Sequence, residues 1–151
     1  GYTRDNAAFL RLMVQNALEA EPPLGLIRSF TVEDAGEGKG TIDLKVRGTR
    51  IFVDSARVFA LALGIAETGT AERLRLAGAR LKVDPRHVDA TVEAFEFLQL
   101  LRLRQQDRPS GGGAANRIDP YALNEVAQRM LKEAFRQAKQ LQERLRLSYR
   151  L

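Results

Sequence analysis

The strongest constraint on the fold is the stretch from about Asn124 to Tyr149. There Ala127, Leu131, Ala134, Ala138, Leu141 and Leu145 recur at alternating spacings of four and three. A helix turning once per 3.6 residues returns those positions to one stripe, so the pattern predicts a long helix with a single apolar seam. Such a seam must be covered along its whole length by other helices. One seam of this kind fits an intramolecular core better than a zipper between two chains, although a homodimer stays open.

The rest of the sequence supplies the partners. From about Asp5 to Ala20, Phe9, Leu10, Met13, Val14, Ala17 and Leu18 fall on one helical face, and Pro22-Pro23 stops the helix. Two short stretches with strand character, Ile27–Val32 and Thr41–Val46, flank the glycine-rich segment Glu33-Asp34-Ala35-Gly36-Glu37-Gly38-Lys39-Gly40. They predict a hairpin or an extended excursion. A mostly buried helix follows from about Ile51 to Leu63, with Gly64 where a left-handed cap belongs. Thr70 reads as the N-cap of a short helix running to about Ala77, and Asp84-Pro85 opens another that carries Val88, Val92, Phe95, Leu98 and Leu101 to about Arg104. Pro109-Ser110-Gly111-Gly112-Gly113 marks a flexible loop, and Asp119-Pro120 with Asn124 announces the last helix. The expected fold is all-α: an antiparallel bundle of five or six helices with a small extended or hairpin insertion near residues 27–46. Phe95, Leu98, Leu131, Phe135 and Leu141 are its expected core.

Composition agrees with one ordinary domain, since the chain has 151 residues, 44% hydrophobic and 28% charged. With no cysteine and only His87 as histidine, thiol catalysis, cysteine-based zinc sites, multi-histidine metal sites and a Ser–His–Asp triad all lack their residues. The absence of cysteine fits a reducing cytoplasm. Charged residues interrupt every apolar run well short of a membrane span of ~20 residues. The net charge of +5 comes from 24 basic residues interleaved with 19 acidic ones, a pattern of solvated helix faces rather than of a polyanion-binding block. The chain begins Gly1-Tyr2-Thr3-Arg4 with a helix soon under way, and it reads as a piece of a longer protein.

Most catalytic templates are missing. The segment Gly36-Glu37-Gly38-Lys39-Gly40 lacks the spacing and the Ser/Thr of a phosphate loop. Nucleotidyl transfer needs carboxylates to hold metal ions, and neither a Gly-Ser dipeptide nor an Asp-x-Asp occurs. The cations Arg73, Arg75, Arg80, Lys82 and Arg86 lie among Glu72, Asp84 and Asp89, without the interleaved aromatics of a single-strand nucleic-acid reader. One corner stands out. Between Thr41 and Arg57 the chain leaves an extended stretch, passes Gly48 and enters a helix, so Lys45, Arg47, Arg50 and Arg57 would surround a positive helix end suited to phosphate. Asp54 falls in or near the first turn, where a carboxylate also suits the helix dipole. The same residues suit a strand-to-helix corner with solvated charges, and chemistry alone leaves both readings open.

The pattern Asp43-Leu44-Lys45-x-x-Gly48-x-x-Ile51-x-Val53-Asp54-x-Ala56-Arg57 resembles the nucleotidyltransferase substrate-binding domain of the DUF294 family. Phe9-Leu10-x-Leu12-Met13-x-x-Asn16-Ala17-Leu18, Glu93-Ala94-Phe95-Glu96-Phe97-Leu98, Asn116-Arg117-Ile118-Asp119-Pro120 and Leu131-Lys132-Glu133-Ala134-Phe135-Arg136 carry the same resemblance in order. It implies a C-terminal helical domain without catalytic residues of its own. That domain would follow a nucleotidyltransferase domain similar to bacterial PII-protein uridylyltransferase, often behind CBS and cyclic-nucleotide-binding modules, in a cytoplasmic signalling enzyme. Magnesium and a nucleoside triphosphate are implied for that parent enzyme and no cofactor for this segment. The implied partners are the upstream domain, a nucleotide and a protein acceptor, with neither membrane nor nucleic acid. Lys45, Gly48, Arg50, Asp54 and Arg57 are the implied substrate- or nucleotide-binding positions. Lys45 to Asp54 is also similar to the Lys-x-Gly-x-Gly-Gly-x-Arg-Asp/Glu motif of such transferases, with Thr49 where a second glycine is usual. The other class of reading is a helical interaction or dimerisation module without a ligand site.

Overall fold

The computed structural model describes residues 2–25, 29–106 and 116–149. Helices α1 (Tyr2–Ala17), α2 (Arg50–Leu63), α3 (Thr70–Arg80), α4 (Pro85–Gln106) and α5 (Glu125–Tyr149) account for most of them. Two short strands, β1 (Ile42–Asp43) and β2 (Arg117–Ile118), complete an all-α bundle with a small extended insertion. α5 packs lengthwise on α4 and also meets α2 and α1, while α2 is sandwiched by α1 and α3.

The seam of α5 is spent inside the chain. Leu131, Ala134, Ala138, Leu141 and Leu145 are all buried, so this stripe holds the bundle together and offers nothing to a second copy. Phe95 and Leu98 of α4, with Phe135 of α5, join the same core, as their spacing predicts. Phe52 and Phe95 pack as tilted rings with centroids 5.9 Å apart.

Helix ends follow local chemistry. Gly64 closes α2 with φ 68°, a left-handed conformation that a Cβ penalises. Asp84 Oδ1 accepts from Arg86 N at 2.9 Å at the start of α4, and Asn124 Oδ1 accepts from Ala127 N at 2.8 Å at the start of α5. Asp119-Pro120 opens only a single 3₁₀ turn, Pro120–Ala122, before that helix. Thr70 is the first residue of α3 rather than its cap. Gly69 holds the cap position, with no side chain donating or accepting there.

Three further expectations shift. α1 ends at Ala17, ahead of Pro22-Pro23, and Phe9 at 55% exposure lies outside the core that Val14 and Ala17 enter. β1 does not pair across the glycine-rich segment. Its partner is β2, antiparallel, with Ile42 opposite Ile118 and Asp43 opposite Arg117. The glycine-rich segment instead closes on itself, hairpin-like, through Glu33 N to Thr41 O at 3.0 Å and Gly40 N to Glu33 O at 2.8 Å, and Phe30 bridges back to Leu24. The Pro109–Gly113 loop, and Ile27 and Arg28 of the Ile27–Val32 stretch, lie outside the described residues.

Candidate functional site

The corner between β1 and α2 is built differently from a plain strand-to-helix junction. Lys45–Thr49 form one π-helical turn that runs directly into α2. Such a turn inserts an extra residue and re-aims the side chains that follow. Its first amides are already satisfied, because Asp43 Oδ1 accepts from Lys45 N at 3.0 Å and from Val46 N at 2.9 Å. The positive helix end is therefore occupied by the chain's own carboxylate. Asp54 lies more than two turns beyond this start, too far for a dipole role.

The turn sorts the sequence-predicted residues onto two sides. Gly48 faces inward, where a Cβ would sit 3.4 Å from Leu98 Cδ1 and 3.7 Å from Phe135 Cε1. It is a packing glycine beneath the site and makes no approach to a ligand. Arg47 straps the insertion, donating from Nε to Glu21 O at 3.1 Å and from Nη1 to Thr31 O at 3.2 Å. Lys45 and Arg50 are exposed, while Ile51 and Phe59 anchor the helix beneath them at 1% and 2% exposure. Arg50, Asp54 and Arg57 fall at i, i+4 and i+7 on one outer face of α2.

That face forms one wall of a cleft of about 580 Å³. Val46, Arg50, Ile51, Asp54 and Arg57 line it from one side. Met13, Asn16 and Ala17 of α1, with Glu19 and Ala20 beyond its end, line it from the other. Lys45 and Gly48 are not part of the lining. A space of this size suits a small organic molecule or a short chain segment rather than a single ion. Asn16, Met13 and Glu19 went unrecognised as site residues. Their only signal was a polar Asn16 three positions after Met13, within the stripe expected to face the core.

Among the described residues, neither Arg50 nor Arg57 has a carboxylate within 4 Å; the ion pairs are Asp84–Arg86, Glu133–Arg136 and Glu143–Arg146. Asp54 lies between the two guanidiniums. Partial burial pushes its carboxyl above the ordinary aspartate range, against the opposing pull of Arg50 and Arg57. A carboxyl whose folded pKa lies above its unfolded value of about 3.9 favours the folded state at low pH and loses that contribution as pH rises through the folded value. Asp54→Asn removes the penalty. Its stability relative to the parent chain is expected to rise between pH 4 and pH 7, read as the difference in Tm. A difference that stays flat over that range would show that Asp54 ionises without cost.

The other cations serve turns. Arg73 Nε donates to Glu67 O at 2.7 Å, Arg80 donates to Leu63 O at the end of α2, and Arg86 pairs with Asp84. Among the described residues no three His, Cys, Asp or Glu side chains gather as a metal site. No helix among them is long and apolar enough to cross a membrane.

The fold is thus a helical bundle with a charged cleft between α1 and α2. The chain belongs to the family described as "putative nucleotidyltransferase substrate binding domain", whose model matches residues 7–149. No curated protein and no solved structure matches it.

Proposed function

We propose that the chain is the accessory, substrate-binding domain of a signal-transduction nucleotidyltransferase similar to the uridylyltransferases, capping the cleft of a catalytic domain upstream. That domain would hold the nucleoside triphosphate and magnesium and carry out the transfer, and this one would hold a substrate against it. The observation carrying the reading is the α1–α2 cleft, which Arg50, Asp54 and Arg57 line, with neither arginine ion-paired within 4 Å among the described residues. Two unpaired guanidiniums beside an apolar wall suit an anionic organic substrate. Family membership supports the same role.

The test is kinetic. Arg50→Ala combined with Arg57→Ala, in the nucleotidyltransferase that carries this domain, is expected to raise KM for nucleotide or acceptor about tenfold or more. kcat should stay near its parent value, the signature of lost ground-state binding. Unchanged kcat/KM in a folded variant would make the cleft architecture alone, and the interaction-module reading would replace this one.

A further inference from the structure

A second cavity, of about 70 Å³, lies where α2, α3, α4 and α5 meet, and it shares no lining residue with the α1–α2 cleft. Phe59, Leu74 and Leu141, all buried, form its apolar walls. Ala77 and Gly78 bring no bulk to it from α3, and a Cβ on Gly78 would collide with Val88 of α4. His87, Gln140 and Arg144 also line it and are exposed, so they mark its mouth.

One wall is polar and short of a proton. Gln137, 4% exposed, donates from Nε2 to Glu133 Oε1 at 2.9 Å, which fixes the end of its amide that carries the oxygen. The hydroxyl that approaches this oxygen is Thr91 Oγ1, 3.4 Å from Gln137 Oε1 but 2.9 Å from His87 O. A hydroxyl has one proton, and the shorter bond along its own helix takes it. Thr91 and Gln137 both line the cavity. Gln137 Oε1 is thus a buried acceptor beside it, with no proton left for it by Thr91. Buried amide oxygens are rarely left in that state.

The space sets the ligand. It has room for about five heavy atoms, at ~10–15 Å³ for each water-sized one. They must be apolar except for one donor aimed at Gln137. A hydroxyl meets that demand with its single proton. An ammonium would bury a charge and leave two further protons to place. At the mouth, Arg144 has no carboxylate within 4 Å among the described residues. Helical side chains lean toward the N-terminus, so Arg144 reaches back over the cavity from two turns beyond Gln137. Its guanidinium and the His87 imidazole stand where a ligand carboxylate would emerge.

We infer that this cavity binds a short, branched aliphatic α-hydroxy acid. The alkyl group lies against Phe59 and Leu74, the hydroxyl donates to Gln137 Oε1, and Arg144 holds the carboxylate. The site is separate from the α1–α2 cleft and does not depend on how that cleft is read.

The experiment is calorimetric titration of the 151-residue chain with α-hydroxyisovalerate, isovalerate and valine, which share one carbon skeleton. The hydroxy acid is expected to bind about tenfold more tightly than isovalerate, the scale of one hydrogen bond, and to exceed valine by at least as much. Gln137→Met, which keeps the volume and removes the acceptor, should bring the hydroxy acid and isovalerate to within about twofold. Arg144→Ala, at an exposed position, should weaken both about fivefold or more with Tm unchanged. Arg50→Ala combined with Arg57→Ala should leave all three affinities as they are. No binding of the hydroxy acid at millimolar concentration, equal affinity for it and isovalerate, or a preference that survives Gln137→Met overturns the assignment. Tighter binding of valine overturns the hydroxyl as the donor, and loss of binding in the Arg50/Arg57 variant overturns the cavity as the site.

Discussion

Replacing Phe135 with alanine is expected to lower the stability of the chain by about 3–5 kcal/mol, the range for deleting a fully buried phenyl ring. Phe135 is 0% exposed and lies where four parts of the fold meet. It stands edge-on to Phe30 of the insertion at 6.3 Å and 84°, and Phe30 in turn packs edge-on against Tyr121 at 5.5 Å. Its ring edge lies over Gly48 of the π turn, beside Leu98 of α4. No one of these neighbours can close the gap without dragging the others, which favours the upper part of the range. For a domain of this length Tm should fall by roughly 6–20 °C. Chemical denaturation reads the same quantity, and a loss below about 1 kcal/mol would mean that the insertion and the π turn are not packed on this ring.

Phe135 also shows what the sequence makes legible. It follows Leu131 by four on the α5 stripe, and a long stripe with one period has only one way to be buried. Gly64, Asp84 and Asn124 were equally readable, because each cap depends on the residue's own φ or its own side-chain oxygen. The β1–β2 pair was not, since two residues carry no alternation and their partner lies on the far side of α2, α3 and α4. The π turn was illegible for a related reason. Lys45-Val46-Arg47-Gly48-Thr49 reads as the end of an extended stretch and a glycine corner, and the turn it forms is fixed by what packs around it. Thr49, 2% exposed, accepts from Arg102 Nη1 at 3.2 Å, and Arg102 Nε donates to Asn116 Oδ1 at 3.1 Å.

Within the candidate site the division is similar. Arg50, Asp54 and Arg57 share a face by spacing alone, so their convergence was readable once the helix was drawn. Gly48 looked like a place for ligand approach because an absent side chain says nothing about which side it clears. Phe9 looked like core because a stripe of six apolar residues on α1 is wider than the strip α2 and α5 cover. The half of the cleft that α1 supplies depends on how the helices meet, and the end of α1 is hydrogen-bonded from α5.

The bond comes from Gln142, and Gln142→Leu is expected to act on stability and on the cleft together. Its side chain is 4% exposed and donates from Nε2 to Ala17 O at 3.2 Å and to Ala20 O at 2.7 Å. α1 ends at Ala17, and the last carbonyls of a helix lack partners within it. Gln142 supplies the missing donor from the opposite helix. Leucine has nearly the same volume and fills the space, but it leaves two carbonyls without that donor, at a cost of about 1–3 kcal/mol. Ala17 and Ala20 both line the cleft. Releasing them lets the end of α1 move away from Arg50, so ligand affinity should fall even though no residue facing the ligand has changed. The two effects separate when Tm is measured beside KM for nucleotide and acceptor in the nucleotidyltransferase that carries this domain, at a temperature where the variant is folded. A lowered Tm with full affinity would mean that packing alone holds the end of α1 in place. Loss of both would make Gln142 the link by which α5 fixes the geometry of a cleft it never touches.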